Sequence, residues 1–542
     1  MRELPLLLRA MRRRPRKGRL SARYDVRRES GLPVPAADGV ILRADHYAPV
    51  TSEPCPTVLV RAPYVRSGFP FNYLYGVLVA EQGFHVILQS SRGTGGSEGD
   101  YRWVRDEAAD GQATVRWLRD QPWFTGDLFT LGASYMAYTQ AVLAHDPPPE
   151  WRGAVLQVGF GDTHEFFWGG GVFRLERALI GGALLFLDNA RTRDYFRGTL
   201  RLMRHLKRMT HELPLLDAYP RGFGGRRPVF EEWLAHPEAE HWADTTVSGV
   251  VPKIPVPVSL CTGWWDLEPG RTIEHYAGLR AAGADVDLLI GPWTHTSALD
   301  RGWTETFAQA LRRLRGEPPA YRVRVHVGGL NEWRDLPDWP PPAVPHDWTL
   351  EEALSAGLGA SSFHYDPADP TPSYAGALQS PTQGQRDNAP LEKRADVLLF
   401  TSPPLTEPLE IMGPVRATFD ATTTAASGDL FARLCDVDPS GRSLNICDGL
   451  TRMTDGRTVV ELGPAAHHFK PGHRLRLQVS GGAHPRYLRN YGTGEPPGPA
   501  TRLIATDTTV RHTSVLTLPV VTARAEPTAR GSDEAMPSAA PG

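Results

Sequence analysis

Leu128-Phe129-Thr130-Leu131-Gly132-Ala133-Ser134-Tyr135-Met136-Ala137-Tyr138-Thr139-Gln140 runs from an apolar strand pattern, through a glycine, into a helical pattern. Ser134 sits at the join with small Ala133 before it and small Ala137 three places on. That texture fits a strained strand-to-helix turn, which demands small neighbours and pushes the serine Oγ outward near a helix N-terminus. The stretch departs from the pattern G-x-S-x-G, because position 136 is Met and the small residue comes one place later. A serine before a helix also serves as a plain N-cap, so this segment alone leaves both roles open.

Further short apolar runs flank it: Thr57–Val60, His85–Gln89, Ala154–Val158, Val256–Cys261 and Val286–Ile290, with helix-patterned Glu107–Arg119 and Arg271–Ala281 between some of them. Apolar runs of this length alternating with helices predict a doubly wound, mainly parallel α/β sheet covered on both faces. In such sheets ligands bind beyond the carboxyl ends of the strands, so the residues just after each run are where chemistry belongs.

Two of those ends carry the groups a serine needs. A hydroxyl is a poor nucleophile unless a histidine takes its proton and a carboxylate orients that histidine. Thr262-Gly263-Trp264-Trp265-Asp266 follows one strand run, and Gly291-Pro292-Trp293-Thr294-His295 follows the next, placing His295 on a loop. Serine, then aspartate, then histidine is the chain order of the α/β-hydrolase triad. His85, within a core strand, and His326, within Arg322–Val327, read as structural, and His145, His467 and His468 lie away from the strand ends. Acyl transfer also needs donors for an oxyanion. The Tyr135 amide, directly after the serine, is one candidate, and the Tyr64 hydroxyl, after Thr57–Val60, is another.

Composition bounds what the protein binds. The 542 residues hold 59 Lys and Arg against 61 Asp and Glu, a net charge of −2, so no global positive field favours nucleic acid or an anionic membrane. Four cysteines without a CxxC pair support neither a disulfide scaffold nor a metal site, and no cofactor is expected. No apolar run approaches the ~20 residues of a membrane span. Residues 1–22 are a basic extension whose short apolar stretch, broken by Pro5, does not read as a signal peptide, and a cytoplasmic location is expected.

Residues 23–161 and 249–345 carry the strand–helix pattern. Residues 162–248, with Phe166-Phe167-Trp168 and Leu- and Arg-rich stretches, read as an inserted helical cap supplying aromatic walls. Past a proline-rich stretch, residues 346–523 alternate in short runs, among them Val415–Phe419, Leu430–Val437, Arg474–Val479 and Val515–Val520, broken by turn dipeptides. That is the texture of an all-β sandwich or jelly roll. The tail, 524–542, is rich in Ala, Pro, Gly and Ser and is expected to be disordered.

Arg61-Ala62-Pro63-Tyr64, Ser91-Arg92-Gly93-Thr94-Gly95-Gly96-Ser97-Glu98-Gly99, Gly132-Ala133-Ser134-Tyr135, Gly263-Trp264-Trp265-Asp266 and Gly291-Pro292-Trp293-Thr294-His295 together resemble the cocaine-esterase/X-prolyl dipeptidyl-peptidase family of α/β-hydrolases. The likeness continues through Asn331-Glu332-Trp333-Arg334, Tyr365-Asp366-Pro367-Ala368-Asp369-Pro370 and Pro471-Gly472-His473-Arg474. It implies an α/β-hydrolase domain with an inserted helical cap and a C-terminal all-β jelly-roll domain. It also implies Ser134 as nucleophile, Asp266 and His295 as its partners, Tyr64 and Tyr135 as the oxyanion hole, and Trp168 in the acyl pocket, with Phe167 and Trp265 as further substrate contacts. Ala137 stands where the family has glycine. The expected activity is cleavage of a small-molecule ester or amide through an acyl-enzyme. X-Pro dipeptidyl aminopeptidase, acyltransferase or cyclase, and inactive binding homologue are the alternatives. An aminopeptidase would need a cap carboxylate for the substrate ammonium, for which Glu165 is the candidate. A homodimer is compatible with the sequence.

Overall fold

Strands β3 (Thr57–Ala62), β4 (His85–Ser90), β5 (Leu128–Ala133), β6 (Trp151–Gln157), β7 (Val258–Trp265) and β8 (Val286–Thr294) are buried almost end to end. They pair in parallel in the order β4-β3-β5-β6-β7-β8. Two antiparallel strands, β1 (Val26–Pro35) and β2 (Ile41–Pro49), extend the β4 edge, while β9 (Val323–Val327) continues β8 in parallel and the hairpin strand β10 (Glu332–Leu336) closes the other edge. The computed structural model describes residues 21–522 except 65, 67, 69–70, 188–201, 203, 301–302, 353, 380–381 and 455. The basic arm up to residue 20 and the tail expected at 524–542 lie outside the described residues.

Side chains alternate across the sheet and find a different helix on each face. Helices α1 (Glu107–Arg119) and α2 (Tyr135–Ala141) follow β4 and β5. In the cap come α3 (Thr163–Trp168), α4 (Leu175–Leu187) and α5 (Pro228–Ala235); after β7 and β8 come α6 (Pro269–Ala281), α7 (His295–Asp300) and α8 (Trp303–Leu314). Leu288 and Ile290 of β8 share a core with Tyr276 and Leu279 of α6 and with the cap, whereas Leu289 shares one with Phe307 and Leu311 of α8. Asp162 ties the two ends of the cap together: one carboxylate oxygen accepts the amides of Val247 (2.9 Å) and Ser248 (3.1 Å), the other the Ser248 hydroxyl (2.8 Å).

The C-terminal part is all antiparallel. One sheet joins β11 (Ala343–Thr349), β12 (Ala360–Tyr365), β14 (Leu409–Thr423), β17 (Arg457–Phe469), β19 (Thr506–Arg511) and β20 (Val515–Val521), and the other joins β13 (Val397–Thr401), β15 (Asp429–Val437), β16 (Ser443–Arg452) and β18 (Arg474–Ser480). The boundary expected at 345/346 falls inside β11, whose residues from Ala343 onward already pair with β20. This unit packs on the hydrolase sheet: Gly328, just after β9, donates to Ala466 O (2.9 Å) and accepts from His468 (3.0 Å), and Met412 and Ala466 enter the same core as β7 and β8.

Burial holds the imidazoles of His275 and His484 well below their ordinary value of 6.5, at about 4 and about 3. The unfolded chain therefore takes up these protons as pH falls through 6.5, while the native chain does not until about pH 4 or below, so each imidazole removes stability across that window. The slope is about 1.4 kcal/mol per pH unit for each group. Denaturant unfolding should show a lower midpoint at pH 5 than at pH 7; an unchanged midpoint would contradict this assignment of the two buried neutral histidines.

Candidate active site

Ser134 occupies the step between β5 and α2 with φ 58° and ψ −123°, a left-handed conformation that is strained for any residue with a side chain. Its side chain caps nothing in α2. Two backbone bonds hold the turn, Ser134 N–H to Gln157 O (2.9 Å) and Ala137 N–H to Ser134 O (2.9 Å). The turn folds tightly enough that a Cβ on residue 132 would lie 2.3 Å from the Met136 Cβ, so glycine is required there. Met136 itself is accommodated, buried under the sheet with Ala133 and Leu131. Ala137 fits for a complementary reason: the residue facing it is Gly159, where an added Cβ would come within 3.0 Å of the Ala137 methyl.

β7 and β8 run further than their apolar cores suggest, staying paired as far as Trp265 and Thr294. Asp266 and His295 are the next residue on each, so they emerge side by side; His295 is the first residue of α7 and not part of a loop. The His295 Nδ1 is 2.6 Å from Asp266 Oδ1, and its Nε2 is 3.1 Å from Ser134 Oγ. Asp266 is fully buried, and the charge is met by the Thr262 hydroxyl on Oδ2 (2.9 Å) and the Leu267 amide on Oδ1 (2.7 Å). Thr262, inside β7 and four residues before the aspartate, is a support that the sequence reading missed, because a side chain-to-side chain bond from strand to strand end has no local sequence signal.

Tyr135 opens α2, so its amide belongs to the first turn, where N–H groups have no intrahelical partner. Its phenol is committed elsewhere, donating to Glu107 Oε1 (2.9 Å), and burial pushes its pKa well up. Glu107 in turn takes Arg61 Nη2 at 2.5 Å, and Arg61 also binds the Glu107 carbonyl (2.8 Å) and Gln89 Oε1 (3.0 Å). This buried chain fixes the start of α2 from beneath. Tyr64, just beyond β3, sets its ring edge-on to that of Tyr135, with centroids 6.5 Å apart.

The aromatic cap residues divide. Phe167 stacks on Trp233 (4.3 Å) and Trp168 donates its indole N–H to Trp233 O (2.7 Å), both within the cap interior. Half-buried Phe166 stacks with Trp103 (6.2 Å), whose edge also meets Phe167 (5.3 Å) and which meets Tyr135 edge-on at 5.4 Å. Trp265, the residue before Asp266, is half-buried with its indole nitrogen shielded and lacking an acceptor. The Glu165 carboxylate is engaged by Arg271 (3.3 Å). Cys261 in β7 is no rival nucleophile, since burial pushes its thiol pKa well up. Among the described residues the one cluster with metal-ligand spacing is His236, Glu238 and His241 on the cap, but its imidazoles stack parallel at 3.7 Å and Arg105 sits 3.3 Å from the His241 Nε2. Parallel rings aim their lone pairs alongside each other and not at one ion.

A parallel sheet with a strained serine after one strand, and an aspartate and a histidine after two later ones, defines the α/β-hydrolase class. Residues 38–297 match the family described as X-Pro dipeptidyl-peptidase (S15 family), and residues 316–517 match the X-Pro dipeptidyl-peptidase C-terminal non-catalytic domain. Cocaine esterase of Rhodococcus sp. (strain MB1 Bresler) is 30% identical over 546 residues, covering 86% of this chain and 92% of the relative. Among solved structures, an aminopeptidase from a marine sediment Thaumarchaeota archaeon superposes with a TM-score of 0.77, and an α-amino acid ester hydrolase with 0.76; each is 21% identical over 94% of this chain and 99% of the other, a likeness of fold. The chain belongs to the X-Pro dipeptidyl-peptidase family that includes cocaine esterase, and it is a serine hydrolase of ester or amide bonds.

The elbow's tightness generates a direct test. Gly132→Ala should lower stability by about 1–3 kcal/mol through overpacking and displace Ser134 enough to cut turnover by about 10²-fold. Thermal unfolding and initial rates on an aryl ester check both, and a variant with wild-type rates would show that the turn has slack.

Proposed function

We propose that the protein is an esterase of small neutral-headed acyl substrates, working through an acyl-enzyme on Ser134. The observation that carries this reading is the unbroken relay from Ser134 Oγ through His295 to Asp266, at 3.1 Å and 2.6 Å. In the forward step the Ser134 oxygen forms a bond to the substrate carbonyl carbon while its proton passes to His295 Nε2. Asp266 keeps the imidazole in the tautomer with Nδ1–H and stabilises the imidazolium. The carbonyl oxygen, now negative, is met by the Tyr135 amide and the Tyr64 hydroxyl. Collapse breaks the bond to the leaving group, which departs with the proton from His295. Water then repeats the sequence on the acyl-enzyme and regenerates the serine.

Ester cleavage is favoured over X-Pro aminopeptidase activity by one specific feature: the cap carboxylate nearest the aromatic wall, Glu165, already faces the Arg271 guanidinium. A substrate ammonium would have to displace that cation. The curated relative named cocaine esterase supports the same choice. Phe166, Trp103 and Trp265 offer apolar surface suited to an aromatic or alkyl acyl group, and buried Phe167 and Trp168 hold that wall from behind.

Ser134→Ala should reduce kcat by about 10⁴-fold or more with the fold intact, and aryl esters should be cleaved far faster than aminoacyl-prolyl anilides. Asp266→Asn should cost about 10⁴-fold, because an amide selects the wrong imidazole tautomer. Mass spectrometry of the wild-type protein quenched with an aryl ester should find the acyl group on Ser134. Near-normal turnover in Ser134→Ala would refute the mechanism, and faster prolyl anilide cleavage would replace the substrate class.

A further inference from the structure

Between Asp266, which follows β7, and the start of α6 lie two residues, Leu267 and Glu268. The first of them carries an amide on which the relay leans: Leu267 N–H donates to Asp266 Oδ1 (2.7 Å), the same oxygen that faces His295 Nδ1 (2.6 Å). A carboxylate oxygen met by two donors keeps its direction only while both donors stay in place. The imidazole is carried by α7. Leu267 belongs to neither ladder nor helix, because β7 pairing stops at Trp265 and α6 begins at Pro269.

Arg177, in the first turn of α4, supplies the hold. Its side chain is buried, and its guanidinium serves three acceptors: Nη2 donates to Leu267 O (3.1 Å), and Nη1 to Phe166 O (2.9 Å) and to the Glu268 carboxylate. The guanidinium also lies over the Phe166 ring at 4.6 Å. Glu268 balances the charge, so the two carbonyl contacts are additional to the ion pair. Leu267 is thereby gripped on both sides, its amide by Asp266 and its carbonyl by Arg177. The start of α4 is itself pinned. The Arg174 amide donates to Phe167 O (2.8 Å) and the Glu176 amide to Pro485 O of the β domain (2.9 Å), while Glu176 Oε2 accepts the Gln379 amide (3.1 Å).

We propose that Arg177 is a positioning residue for the reaction: through the Leu267 carbonyl it sets the amide that orients Asp266, and so ties the direction of the triad carboxylate to the cap. The inference rests on the Ser134–His295–Asp266 reading and adds to it a residue outside the relay. Arginine suits the task because its planar fork presents several donors in fixed directions, whereas a lysine ammonium is a point charge on a flexible stem. A misplaced carboxylate impairs the step in which His295 takes the serine proton, not the binding of substrate, so its cost falls on kcat.

The test is a double-mutant cycle read on an aryl ester. Arg177→Gln should lower kcat by about 10²-fold, the order of loss that a displacement of about 1 Å causes, with KM little changed, and Arg177→Lys should recover part of that loss. In the Asp266→Asn background the same Arg177→Gln change should cost little more, because groups that act through one another are not additive. A full second loss in that background, or a change in KM alone, would overturn the proposal while leaving hydrolysis at Ser134 standing. Glu268→Gln keeps an acceptor for Arg177 and spares its bond to Leu267, so it should cost much less than Arg177→Gln; an equal cost would make the ion pair the operative contact and overturn the proposal. The downfield proton resonance of His295 Nδ1–H, identified by its loss in His295→Ala, reads the pair without turnover. It should move in Arg177→Gln, and an unmoved resonance overturns the proposal whatever becomes of the hydrolase reading. Should Arg177→Gln not fold, Arg177→Lys keeps the charge beside Glu268 and must still lower kcat and move the resonance if the proposal holds.

Discussion

The pairing of Trp265 with Thr294 across β7 and β8 is the constraint from which the site follows. Parallel strands in register deliver their successors to the same height, so Asp266 and His295 emerge as neighbours whatever the loops beyond them do. The serine comes from the far side of β6. At that level Ala133, Gln157 and Cys261 are aligned across three strands, and the Ser134 amide is held by Gln157 O while the Val158 amide is held by Cys261 O. β5 therefore ends early in a tight turn, β7 and β8 continue past it, and the imidazole reaches back to the hydroxyl. A shift of one residue in the β7–β8 register would send Asp266 or His295 to the opposite face.

Strain at Ser134 has to be offset by its surroundings. Part of that support is steric, from the buried contacts of Met136 and Ala137, and part is polar. The Arg61–Glu107 pair is buried on both sides and is satisfied by Gln89, the Glu107 carbonyl and the Tyr135 phenol. Buried ion pairs are seldom a net source of stability. Here the pair fixes the Tyr135 side chain at the start of α2, and the same segment, Arg61 to Tyr64, carries both this anchor and the second proposed oxyanion donor.

The triad was legible because each member follows its own apolar run, and a run of buried β-branched and leucine residues has only one plausible place in a parallel sheet. Ser134 after Leu128–Leu131, Asp266 after Val256–Cys261 and His295 after Val286–Ile290 need no knowledge of tertiary contacts to be put at one rim. What stayed hidden depends on partners distant in sequence. The short edge strands β9 and β10 carry Arg324, Arg334 and Asp335 and lack a sustained apolar run; pairing with β8 and with each other makes them strands. Gln383 supporting Thr296, and Arg177 reaching Leu267, connect residues 87 and 90 positions apart. The cap aromatics show the same limit: Phe166-Phe167-Trp168 reads as one wall, yet helical geometry turns neighbours to different faces, so Phe166 stays half-buried while Phe167, wedged between Trp103 and Trp233, and Trp168 are buried.

These long-range links explain why the β domain cannot be regarded as a passive appendage of the sheet. Its loop carrying Gln379 and Gln383 touches the cap at Glu176 and the histidine helix at Thr296, and its Tyr487 supports the guanidinium of Arg174. Hydrolase sheet, cap and β domain are therefore tied together beside the residue that follows His295. The groups proposed to react sit on the strand ends, where precision matters to the chemistry. The contacts of the β domain with the cap and with the residue after His295 fall beside those strand ends, so a substitution in the 379–383 loop can shift the surroundings of the relay without touching its members.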